Sequence, residues 1–126
     1  GADGLNVINT LLGMVIDHET LKPRLSGKTG GLSGPAIRPV AVRCVYQIRK
    51  ALPKIPIIGM GGIRNGKDAL EFFAAGANAI SVGTTVFNDP EACVRIHDEV
   101  AELLHEKGIN SVSEVINAAH DDLNLR

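Results

Sequence analysis

Two short stretches carry residue types whose spacing could do chemistry. Residues 59 to 63 read GMGGI, three glycines in five positions, directly after the apolar run IPII; residues 82 to 86 read VGTTV. Glycine gives up the most backbone entropy on folding, so a cluster at the end of an apolar run needs a reason. One reason is a phosphate. Gly61-Gly62 and Gly83-Thr84 on adjacent strand ends would present free backbone N–H groups to a single anion, with the Thr84 hydroxyl as a further donor and a helix dipole adding to the field. The competing reason is tight turns. For GMGG alone the two balance, and the pairing with VGTT one strand later favours phosphate. A second candidate is Asn9-Thr10. An Asn amide offers a donor and an acceptor, which suits a heterocycle with alternating C=O and N–H groups. On spacing alone, a strand-end turn explains this pair better.

Other reactive side chains offer less. His18, His97, His105 and His120 fall in a turn, on a helix or in the tail, none beside a strand end, and are expected to be solvated or to pack. No general base is nominated from them. Cys44 and Cys93 are far apart, with no CxxC and no histidine at ligand spacing, which argues against a metal site and a disulfide. Each falls on what reads as the apolar side of a helix, so both are expected to be buried, inert thiols.

These candidates need elements to hold them. Apolar runs at 4 to 10, 54 to 60 and 78 to 84 read as strands, and their apolar character predicts coverage on both faces. Between them lie helical patterns. One begins near Arg38, ahead of Pro39, and buries Val40, Ala41, Cys44, Val45, Ile48 and Leu52. A second takes Asn65 as N-cap and stops at Gly76. A third takes Asp89 as cap and Pro90 as first helical residue, running to Gly108. SVSE at 111 to 114 is a capping-box pattern opening a short terminal helix with Val115 and Ile116, after which HDDLNLR reads as frayed. The alternation calls for parallel strands with right-handed crossovers. Ligands of such folds sit outside the carboxyl ends of the strands, where all three candidates fall. Residues 11 to 34 are too long for a plain connection. MVID and KPRL flanking HETL predict a small β-hairpin, followed by a flexible SGKTGGLSG stretch. Loops after two consecutive strands with TTVFN as a short extra helix match the phosphate site of a (β/α)8 (TIM) barrel.

The 126 residues suit one domain or part of one, and 44% hydrophobic with 21% charged residues is ordinary for a globular chain. A net charge of -1 and 3% aromatics argue against a nucleic-acid partner. No window approaches a membrane span and no signal pattern opens the chain, so a cytoplasmic location is expected.

GADGLNVINTLLGM, TGGLSGPAIRPVAVRCVYQI, IPIIGMGGI and AGANAISVGTTVF, in that order, resemble the C-terminal half of dihydroorotate dehydrogenase, nearest the bacterial NAD-linked (class 1B) catalytic subunit, over residues 1 to about 117. The resemblance implies an FMN-containing (β/α)8 barrel that oxidises dihydroorotate to orotate in pyrimidine biosynthesis. By similarity Gly61, Gly62, Gly83 and Thr84 would hold the FMN phosphate, Ile8 and Gly34 would line the cofactor, and Asn9 and Thr10 would bond the pyrimidine. A branched residue at Gly62 would then weaken FMN retention far more than folding. The glycine-rich stretch after the hairpin would cover the flavin. Implied partners are an iron-sulfur, FAD-containing electron-transfer subunit and a homo-oligomer mate. In the family the catalytic cysteine base, a flavin-contacting lysine and further substrate asparagines lie upstream, and neither Cys44 nor Cys93 matches that base. Residues 1 to 126 are accordingly expected to be the C-terminal part of one barrel domain, three parallel strands of eight with a β-hairpin insertion, starting at strand six, lacking the upstream half and inactive alone. Two other readings stay open: a flavin barrel similar to dihydropyrimidine dehydrogenase, which shares an NT and GG(L/V)SG pattern, or a non-catalytic phosphate-binding half-barrel that oligomerises.

Overall fold

Short apolar segments bounded by polar or glycine residues become strands here, and the longer amphipathic ones become helices. The computed structural model describes residues 1–120. In chain order come β1 (Leu5–Val7), β2 (Leu11–Gly13), β3 (Gly30–Leu32), α1 (Arg38–Ala51), β4 (Ile57–Met60), α2 (Gly66–Ala75), β5 (Ala79–Ser81) and α3 (Ala92–Glu106). β1, β4 and β5 form a parallel sheet in that order, with Leu5 opposite Ile57, Val7 opposite Gly59 and Met60 opposite Ser81. This is an α/β arrangement, as expected. Among the described residues no helix is long and apolar enough to cross a membrane.

Because the strands follow one another without a reversal of order, right-handed crossovers leave all the helices on one side. Val7, Ile57 and Gly59 are buried beneath them, with Phe72, Val45 and Ile96 completing the core. The opposite row, Asn6, Ile58 and Ala79, is exposed. The expected coverage of both faces is therefore corrected: one face is covered, and an apolar Ile58 stands 42% exposed on the other.

The helix ends show why the chain turns where it does. α1 begins at Arg38 as expected, after a 3₁₀ turn at Pro35–Ile37. The Asn65 side chain accepts from the Asp68 N–H at 2.9 Å, and Gly76, at φ 114°, ends α2 in the left-handed region. α3 starts later than predicted, at Ala92. The Asp89 carboxylate accepts from the Glu91 N–H within the preceding turn and pairs with Arg95 at 2.7 Å, while the Asp89 carbonyl takes the Ala92 N–H.

The capping box at 111 to 114 is present, yet it opens only a 3₁₀ turn, Val112–Glu114, with Val115 and Ile116 beyond it. The chain is diverted because it is needed elsewhere. Asn117 N–H donates to the Phe73 carbonyl, Ala119 N–H to the Ala74 carbonyl, and the His120 ring lies 2.9 Å from the Ala75 carbonyl, so the last turn of α2 finds its partners there. His120 is buried and stacks on Tyr46 at 4.1 Å, which corrects its placement in a frayed tail; residues 121–126 of that stretch lie outside the described residues. The same end of α2 is also served from inside. Arg49, 2% exposed, donates from Nε and Nη2 to the Gly76 carbonyl and from Nη2 to Asn78 Oδ1, and burial lowers its pKa.

Residues 11 to 32 form an arm. Its tip is the predicted hairpin: Ile16 bridges Pro23, and Asp17 accepts from the N–H groups of Glu19 and Thr20 and from the Thr20 hydroxyl. The stretch read as flexible is corrected in part, because Gly30–Leu32 is strand β3, antiparallel to β2. Propensity hides it, since glycine is a poor strand former. Size explains it: a Cβ on Gly31 would sit 2.8 Å from the Thr10 Cβ, so only glycine leaves room for that threonine. The arm is apolar and uncovered, with Leu12 81% and Leu21 78% exposed.

Candidate functional site

The parallel sheet brings every nominated residue to one end of the molecule, the carboxyl ends of its strands. The Ile8 N–H donates to the Met60 carbonyl at 2.9 Å, tying the exit of β1 to that of β4. Beyond β4 the chain enters Gly61 and Gly62; beyond β5 it passes Gly83 into a 3₁₀ turn, Thr84–Phe87, where the extra helix was expected. Among the described residues one side-chain bond spans these two loops next to the glycines: Thr85 Oγ1 donates to the Ile63 carbonyl at 2.7 Å.

The nominated glycines divide into two kinds. A Cβ on Gly62, whose φ is +75°, would lie 2.5 Å from the Gly34 carbonyl oxygen and 3.0 Å from the Pro35 Cα. One on Gly61 would lie 2.8 Å from the Ala41 Cβ. What comes close to this backbone is the start of α1, so tight packing alone accounts for these two. The expectation that a branched residue at Gly62 would spare folding is corrected by that contact. Gly83 differs: a Cβ there would meet nothing within 4 Å. Gly34 is buried at φ +87° with open space at its Cβ position, so conformation rather than crowding requires it.

Donors remain unspent around that space. Among the described residues the N–H groups of Gly62, Gly83 and Thr84 make no turn or loop hydrogen bond to main chain, whereas that of Gly61 faces β5 at the end of the ladder. Thr84 is exposed, and its neighbour Thr85 is half-buried. Asn9 and Thr10 are exposed at the exit of β1, with Asn9 Oδ1 accepting from the Thr10 N–H at 2.7 Å. That leaves the Asn9 NH₂ group and the Thr10 hydroxyl as outward donors.

Charge beside the site is internally paired. Arg38 Nη1 stands 2.6 Å from Asp68 Oδ1, an ion pair by distance though off hydrogen-bond alignment, and Asp68 Oδ2 accepts from both the N–H and the Nε of Arg64. The loop after β4 is held further along by α3. Arg95 Nη2 donates to the Arg64 carbonyl at 3.1 Å, and the Gly66 N–H donates to Glu99 Oε2 at 2.6 Å. That N–H, and then Arg95, hold the Glu99 carboxyl below its ordinary range. Thr85, Arg95 and Glu99 escaped sequence reasoning. They act on main chain, and only the helical spacing of 95 and 99 hinted at a pair.

Neither cysteine stands at a strand end. Cys44 is half-buried and Cys93 exposed, which corrects the expectation that both are buried; Cys93 lies in the first turn of α3, on the rim of a groove. That groove, about 640 Å³ and lined by Phe73, Ile80, Val100 and Leu104 among others, contains none of the nominated residues. His97 and His105 border it.

A family model described as "Dihydroorotate dehydrogenase" matches residues 1–104. The dihydroorotate dehydrogenase B (NAD(+)) catalytic subunit of Geobacillus sp. (strain WCH70) is 56% identical over 114 residues, covering 90% of this chain and 36% of that protein. The subunit of the same name from Desulforamulus reducens is 57% identical over 120 residues, covering 95% and 39%. The ligand-free dihydroorotate dehydrogenase of Eimeria tenella superposes with a TM-score of 0.78 at 34% identity, over 94% of this chain and 33% of that one. The chain thus spans well under half the length of the relatives it matches.

Proposed function

This chain belongs to the dihydroorotate dehydrogenase family, and we propose that it forms the cofactor-phosphate and pyrimidine-binding part of an enzyme that oxidises dihydroorotate to orotate in cytoplasmic pyrimidine biosynthesis. The observation that carries the proposal is the pair of strand ends whose unspent N–H groups border open space at Gly83, joined across by Thr85. Such a donor set fits the phosphate of FMN, which when bound supplies a two-electron acceptor.

Gly61, Gly62, Gly83 and Thr84 would hold that phosphate, with Ile8 and Gly34 lining the cofactor. The Asn9 NH₂ group, its oxygen already engaged by the Thr10 N–H, would donate to a pyrimidine carbonyl, and the Thr10 hydroxyl would add a second bond. The exposed row Asn6, Ile58 and Ala79 would be the inner wall of a (β/α)8 barrel to which this chain gives three strands. The proton-abstracting base would come from the part of the barrel this chain does not span, so the 126 residues alone would be inactive. The relatives' name, catalytic subunit, supports an electron-transfer partner, for which an iron-sulfur, FAD-containing subunit delivering to NAD is the reading.

The test is Asn9→Ala in the full-length protein, titrated with orotate while flavin absorbance is followed. An unpaired buried polar group costs about 1 to 3 kcal/mol, so orotate affinity is expected to fall roughly 5- to 150-fold with the flavin-to-protein ratio unchanged. Unaltered orotate affinity in a flavin-replete variant overturns the assignment of Asn9.

A further inference from the structure

We propose that Thr85 is a positioning residue of the phosphate site: its hydroxyl locks the loop after β5 to the loop after β4, so that the amides of both face one anion. The inference rests on the cofactor reading above.

The β4 and β5 ladder ends at the pair Met60 and Ser81. Past that point sheet hydrogen bonding no longer fixes one loop against the other, yet the unspent N–H groups lie past it, on Gly62, Gly83 and Thr84. Several separate donors serve one small anion only if their spacing is held. The first cross-loop bond beyond the ladder is Thr85 Oγ1 to the Ile63 carbonyl. Ile63 is 3% exposed, with its side chain packed in the core, so the bond ties the 3₁₀ turn to a core-anchored residue. Two further bonds onto the same loop, Arg95 to the Arg64 carbonyl and Glu99 to the Gly66 N–H, lie farther from the glycines and hold α2 to α3 instead.

The adjacent threonines divide the work. A 3₁₀ turn advances about 120° per residue, so the side chains of Thr84 and Thr85 leave the backbone in different directions. Thr84 is exposed toward solvent; Thr85 is half-buried against Ile63. No other described group donates to the Ile63 carbonyl, so loss of the Thr85 hydroxyl leaves that oxygen without its protein partner and frees the turn that carries the Gly83 and Thr84 amides.

Thr85→Val keeps the shape and removes the donor; Thr85→Ser keeps the donor. Both are made in the full-length protein, stripped of flavin, and FMN and riboflavin affinities are read by flavin fluorescence quenching. Riboflavin lacks the phosphate and reports on the rest of the pocket. Thr85→Val is expected to weaken FMN about 5- to 30-fold, the scale of one lost bond to an acceptor left unpaired. Riboflavin affinity should hold, and Thr85→Ser should bind FMN nearly as the unmodified protein does. Equal loss of FMN and riboflavin, or no loss of either, overturns the proposal. If the unmodified protein binds riboflavin as tightly as FMN, the phosphate reading itself fails before any variant is made, and the role of Thr85 fails with it.

Discussion

The loops that follow β4 and β5 leave the sheet side by side, and each opens with glycine, but on opposite terms. Gly62 is pressed against the Gly34 carbonyl and Pro35 in the left-handed region, whereas the position a side chain would take on Gly83 is open. The first loop is a joint of the fold, where strand end and helix start meet main chain to main chain. The second has room to receive something. A glycine's presence at a strand end is therefore not by itself evidence of a ligand: packing requires Gly62, whereas nothing within 4 Å crowds the Cβ position of Gly83. The loops share donors but not roles, and the Thr85 bond couples the open one to the packed one.

The largest expected effect comes from filling the packed side. Gly62→Val would set a branched carbon against a carbonyl oxygen in a backbone conformation that side chains resist, and should cost about 3 kcal/mol or more, read by urea unfolding. Stability within about 0.5 kcal/mol of the parent would show that the joint yields and would erase the contrast. Next comes the clamp behind it. The Glu99 carboxyl is held below its ordinary range by the Gly66 N–H and Arg95, so its contribution is present above the unfolded-state value of about 4.3 and is lost as pH falls through the depressed folded value. Glu99→Gln retains an acceptor for Gly66 but not the charge, and should cost about 1 kcal/mol at neutral pH and nothing measurable once the carboxyl is protonated. A difference that persisted unchanged into acid would mean that packing, not charge, is what Glu99 supplies. The smallest effect on stability is expected on the open side. Gly83→Ala should stay within about 1 kcal/mol of the parent in unfolding while lowering flavin content in the full-length protein. Reduced stability with full flavin would reverse the assignment of the two loops.

Sequence patterning reached the three strands, the Asn65 cap, the Gly76 stop and the hairpin tip, because each rests on local periodicity or on one residue's backbone preference. It missed β3, whose Gly31 is selected by the bulk of Thr10 across the arm. It also misplaced the start of α3, since nothing local says that Asp89 is engaged by Arg95 in the first turn of that helix. The crowding at Gly62 was illegible for the same reason: the obstruction is Gly34 and Pro35, brought there by the path of α1. Site residues read by type could be placed at one end of a sheet. Which of them face space, and which face the fold, needed the packing.

The parallel sheet also bears on how these 126 residues by themselves behave in concentrated solution. Among the described residues β1 and β5 are the outer strands, each paired on one side only, and unpaired strand edges are templates on which another chain can add its own strand. Both are three residues long. So short an edge offers a stranger too few main-chain contacts to fix a register, and brevity guards it where longer edges need charge or proline. Any self-association of these 126 residues should therefore begin on side chains such as Leu12, Leu21 and Ile58, and should respond to salts that strengthen apolar contact more than to changes in net charge.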